Sequence, residues 1–147
     1  MFAEAGRLAT KAWVFRFEGV AVTVVGYLSH DIAVQGAESC NCSYPSPDKD
    51  TEVDWHMYLT KSPARPISEA IIVETTPRVR KDRTWNRTRL LGWKNSTNQV
   101  RISGWLMVDP KHADQVGQYR STIWEVHPIT KIEVSQSGGW VDLESLP

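Results

Sequence analysis

The sequence predicts a mainly β domain, a small barrel-like sheet carrying one helix. Three observations point there. From Trp13 onward Val, Thr, Phe, Tyr and Trp dominate, and apolar and polar residues alternate as they do on the two faces of a strand. The alternating segments are separated by clusters of Pro, Gly, Asn and Ser, the usual turn formers. One stretch, residues 77–91, departs from the period of two.

Residues 1–12 read as a flexible arm, residues 13–135 as the domain and residues 136–147 as a tail. The first strand covers about 13–28, with a continuation to Val34 open, and Gly19 and Gly26 supply bends or bulges. A loop over about 36–51 carries Cys40, Cys42 and the turn formers Pro45, Ser46, Pro47 and Asp48. The second strand is 53–60. Its alternation sends Trp55, Met57 and Leu59 to the core face and turns Asp54, His56 and Tyr58 outward. After a turn at 62–66 comes a third strand, 70–75. Pro77 can open a helix over 77–91 that presents Val79, Trp85, Leu90 and Leu91 to a core. Strands follow at 100–108 and 122–134, the latter bent at Pro128, with a polar loop at 109–119 between them. Ser137-Gly138-Gly139 ends the domain, and residues 140–143 pack a short tail against it. Three strands, a helix and two strands is the order of an OB-fold, a five-stranded Greek-key barrel with one helix between strands three and four. A long first strand with internal glycines suits it, because that strand must curl through both sides of the barrel.

Size and composition narrow the function classes. At 147 residues the chain fits one domain, and 41% hydrophobic with 23% charged residues argues against disorder. The most apolar run, residues 20–25, falls far short of the roughly 18 residues of a membrane span. With no secretory signal in the first eleven residues, a cytoplasmic location is expected. Two cysteines one residue apart make no disulfide framework; reduced thiols or half of a soft-metal site remain open. There is no Gly-rich phosphate loop, Gly-x-Ser-x-Gly elbow or His-Glu-x-x-His helix, and nothing places Cys40 beside His127 as a thiol nucleophile.

Five short segments carry a resemblance: Glu38-Ser39-Cys40-Asn41-Cys42, Asp54-Trp55-His56-Met57-Tyr58-Leu59, Ile72-Val73-Glu74, Val100 to Leu106, and Trp124-Glu125-Val126-His127-Pro128. Together they resemble a group of uncharacterised bacterial hypothetical proteins with an OB-fold-like barrel. The similarity covers about residues 20–134. It implies the barrel and no particular chemistry.

Formal charge is zero, 17 basic against 17 acidic residues, yet residues 78–101 hold eight basic residues against Asp82 alone. Such a dipolar molecule can attract an anion to one side. Arg78, Arg80, Arg83 and Arg87, interleaved with Trp85 and Trp93, form a candidate surface for single-stranded nucleic acid or another phosphate-bearing ligand. The alternative is the solvated face of an amphipathic helix, and OB-fold ligands lie on the second and third strands rather than on the helix. Of seven tryptophans, Trp55, Trp105 and Trp124 suit the core, and Trp93 and Trp140 suit stacking on a base or a sugar.

A second constellation is Asp54 with His56, Glu74, and Glu125 with His127. In an OB-like barrel the second, third and fifth strands are neighbours, so these side chains meet if the strand registers agree. His56, Glu74 and His127 could then hold a divalent metal, with a spare carboxylate as general base. The plainer alternative is a hydrogen-bonded polar patch without metal. The sequence alone favours a ligand-binding module; a metal-dependent hydrolase and a protein-interaction module are the alternatives.

Overall fold

The computed structural model describes residues 16–34 and 53–147. The expected arm at 1–12, the loop at 36–51 and both cysteines lie outside the described residues. The described residues form six strands in succession: β1 (Ala21–Val34), β2 (Trp55–Thr60), β3 (Ile71–Thr75), β4 (Val100–Val108), β5 (Trp124–Gln136) and β6 (Gly139–Asp142). Their order across the sheet is β3-β2-β1-β4-β5-β6, and β3 also pairs with β5. That pairing closes β1-β2-β3-β5-β4 into a ring, antiparallel at each step except the parallel β3–β5 contact. The mainly β, barrel-like architecture read from the sequence is therefore present.

β1 does curl through both sides. Its first half, Ala21 to Gly26, pairs with β4, and its second half, Tyr27 to Val34, pairs with β2. Gly26 marks the changeover, where a Cβ would stand 2.6 Å from the Thr60 carbonyl oxygen. Residues 16–19 form a helical turn rather than the expected start of the strand, and Gly19 closes it at φ +79°.

Met57, Leu59, Val73, Ile102, Val126 and Ile132 are buried in one hydrophobic core. Each such side chain contributes roughly 1.5–3 kcal/mol on burial. Trp55 and Trp85 join them as expected, whereas Trp105 is 44% exposed, because its strand parity points it away from the core.

The expected helix at 77–91 is two short ones, α1 (Pro77–Arg80) and α2 (Arg87–Leu91). Each has its own cap: the Thr76 hydroxyl accepts from Val79 N–H, and Asn86 Oδ1 accepts from Arg89 N–H at 2.9 Å. A second cap inside a helical pattern restarts the helix instead of extending it. The Thr84 N–H between them turns to the Glu144 carboxylate, 3.0 Å away. Of residues 140–143, read as a packed tail, Trp140 to Asp142 belong to the strand β6, paired along β5, and Leu143 after it is fully buried.

Two expectations follow. A Cβ on Gly104 would lie 2.6 Å from the Pro128 carbonyl oxygen and 2.7 Å from Val126 Cγ1. Gly104→Ala should therefore destabilise the domain by roughly 1–3 kcal/mol, read as a lower denaturant midpoint at unchanged slope. On β5, Glu133 accepts from Arg101 Nε and Nη2 at 2.7 Å each and from Lys131 at 3.0 Å, which holds its carboxyl down at about 2. A depressed folded-state pKa gives stability that is present above the unfolded value and lost as pH falls towards 2. Thermal melts of Glu133→Gln should lie below native at pH 7 and converge with it near pH 2.

Candidate functional site

Strand register decides whether the sequence-predicted side chains meet. His56 stands opposite Glu74 in the β2–β3 ladder. In the parallel β3–β5 pair Ile72 faces Glu125 and Val73 faces Val126, so the next step brings Glu74 alongside His127. His56, Glu74 and His127 thus form a row across three strands, with Tyr58, Ile72 and Glu125 in the row beside it. His56 Nε2 lies 2.6 Å from Glu74 Oε2, and His127 Nδ1 lies 3.6 Å from the same oxygen.

The row was expected to face solvent. It is buried instead, with Asp54, His56, Glu74, Glu125 and His127 all at 7% exposure or less. Residues 109–119, expected as a polar loop, form two short 3-10 turns within Pro110–Gln115, joined across a kink at His112, and with Arg120 they line the clefts over this face. The cover is tied at both ends: Asp109 N–H donates to the Ile123 carbonyl at 2.9 Å, and Ser121 N–H to the Ala70 carbonyl at 2.7 Å.

Arg120, missed in the sequence, is the buried clamp of the cover. Its guanidinium reaches Asp109 Oδ2 at 2.5 Å and Glu125 Oε2 at 2.8 Å, and it is 1% exposed. Glu125 in turn bonds His127 Nδ1 through Oε1 at 3.2 Å, leaving His127 Nε2 directed to Asp54 Oδ2, 3.7 Å away. Asp109 also holds His112 by its Nδ1 at 2.6 Å.

These contacts set the charge states. Burial, helped by the Glu125 and Asp54 carboxylates, pushes the Glu74 carboxyl up to about 10, with His127 opposing. Among the described residues no N–H reaches Glu74 Oε1, and the carboxyl as a whole lies against that of Asp54. Burial works against the His127 imidazolium, but the bond to Glu125 and the charges of Glu74 and Asp54 outweigh it and raise its pKa. Burial would raise Glu125 and Asp109 too; their histidine and Arg120 bonds prevail and lower both.

Asp54, Glu74 and His127 each present one ligand atom within 4.8 Å of the others. Asp54 therefore completes this donor set with Glu74 and His127, and His56 adjoins it through Glu74. Two clefts border this face, the larger touching the cluster only at His56. One of ≈ 260 Å³ is lined by His56, Tyr58, Ile72, His112, Tyr119 and Arg120 among others. A smaller one, ≈ 140 Å³, reaches Glu74, Glu125 and His127 and is bounded by Lys111 and His112.

The basic stretch is spread over structural tasks. Arg80 is buried, donates to the Thr75 and Val53 carbonyls at 2.6 and 2.5 Å, and lies 3.8 Å over the Trp55 ring. Arg83 donates to the Thr130 carbonyl, Arg87 to that of Ile32, and Arg89 to those of Leu143 and Leu146. Trp93 packs half-buried against the core, and Trp140 lies beneath Arg101. Arg78 is exposed. No protein-family model matches this chain, and no curated protein or solved structure is found similar to it.

Removing Arg120 takes the guanidinium from the buried Glu125 and the partly buried Asp109. Arg120→Met should cost roughly 3–5 kcal/mol in denaturant unfolding, against near-neutral effects for Arg78→Met on the surface.

Proposed function

We propose that the chain is a metal-dependent hydrolase whose centre lies on the β2–β3–β5 face. The observation that carries this reading is the convergence of Asp54, Glu74 and His127 on one buried point, with Glu74 and His127 also lining a cleft. A divalent transition cation would supply an activated water at neutral pH. Asp54, Glu74 and His127 would hold it, each offering one ligand atom within 4.8 Å of the others. Glu125 accepts from His127 Nδ1–H and fixes the ring orientation, the usual role of a carboxylate behind a ligating histidine. His56, in contact with Glu74 and lining both clefts, takes the proton from water.

The ring order β1-β2-β3-β5-β4 supports an OB-like architecture, whose ligands bind on the second and third strands and the loop between the fourth and fifth. The cluster and its cover occupy that region. No described helix is long and apolar enough to cross a bilayer.

Calorimetric titration with zinc and manganese at pH 7.5 tests the centre. The native chain should show one saturable site, His127→Ala should lose it, and Glu125→Gln should weaken it by about 10–100-fold. Equal binding by native protein and His127→Ala, or no binding by either, defeats the reading.

A further inference from the structure

We infer that the substrate is a single-stranded phosphodiester lying across both clefts, and that His112, oriented by Asp109, protonates its leaving oxygen. This rests on the hydrolytic reading above and adds the substrate class and a second proton-transfer group.

His112 and His56 both line each cleft, so the two histidines border the path from one cleft to the other. Each ring is held by a carboxylate of its own: His56 by Glu74 from the sheet, His112 by Asp109 from the cover. With Nδ1 engaged by Asp109 at 2.6 Å, the ring edge of His112 that remains for a substrate is Nε2. The side chain keeps 23% exposure, unlike the fully enclosed Arg120. A proton donor needs that combination of a fixed ring and an open edge.

The lining selects the substrate. Lys111, exposed beside His112, bounds the smaller cleft and gives a phosphate a cation it can reach, whereas Arg120 at the larger one is already committed to Asp109 and Glu125. The larger cleft is flanked by Tyr58 and by Tyr119, which is 55% exposed although large and aromatic. A ring of that kind offers a stacking face to an unpaired base, and the smaller cleft, next to the metal-binding cluster, suits the phosphate.

The step balances without any redox partner. Water oxygen bonds to phosphorus while its proton passes to His56. The bond from phosphorus to the leaving oxygen breaks, and that oxygen takes the proton of His112 Nε2. One water is consumed, and a phosphomonoester and an alcohol are released. Exchange with solvent restores both histidines.

Two probes separate the roles, tested on the full chain with manganese: a single-stranded oligonucleotide, whose alkoxide must be protonated on leaving, and bis(4-nitrophenyl) phosphate, whose nitrophenolate need not be. His112→Ala should lower oligonucleotide cleavage by about 100-fold or more and nitrophenyl ester cleavage by less than about threefold. Asp109→Asn should show the same selectivity at smaller size. Equal losses on both probes, no loss on the oligonucleotide, or no native cleavage of either overturns the inference. Native-like metal titration of His112→Ala keeps the metal centre standing even then. Conversely, cleavage that persists under chelator yet still falls in His112→Ala retains His112 and discards the metal.

Discussion

The parallel pairing of β3 with β5 is the constraint on which the remaining architecture rests. It closes the ring, and it does so in one register, because the inner faces of both strands carry buried valines that a one-residue slip would expel. The same register that sets Val73 against Val126 also brings Glu74 level with His127. Packing on the inside of the ring and chemistry on its outside are thus fixed by a single choice of alignment.

Buried charge is the second organising element. Four carboxylates, three histidines and two arginines lie in or around one covered face, and hardly any of them contacts only water. Arg120 links cover to sheet by joining Asp109 and Glu125. Arg80 closes the other side by binding the carbonyls at the ends of β2 and β3, and its own pKa is lowered to about 10 by burial, against the pull of Asp54 and Glu74. A face so densely paired is expensive to desolvate and costly to disturb, which favours a stiff site over an adaptable one.

Much of this was legible in the sequence, and the reason is periodicity. Alternation located the strands that make the ring, and it put Asp54, His56, Glu74, Glu125 and His127 on matching faces before any register was known. It failed where the chain has no period. Residues 109–120 follow neither a strand nor a helix pattern, so neither the position of Arg120 nor the pairing of His112 with Asp109 could be placed; their spacing of three was the only available signal. The outward face was misjudged for the same reason, since alternation says which side a residue takes and nothing about what later covers that side. The helix broke at Asn86 because a capping side chain outweighed an apolar pattern of marginal length.

The division of β1 between two partners also shapes how the protein comes into being. Its second half finds β2 soon after synthesis, but Ala21 waits for Trp105, the residue opposite it in β4. At ribosomal speeds of about 5–20 residues per second that interval is roughly 4–17 s, during which Val22, Val24 and the backbone edge beside them have no strand to pair with. Assembly from the N-terminus is therefore not available to this fold. The ring can close only after the segment that contains α1 and α2 has emerged, and the long separation between partners makes a late, cooperative closure the natural course of folding.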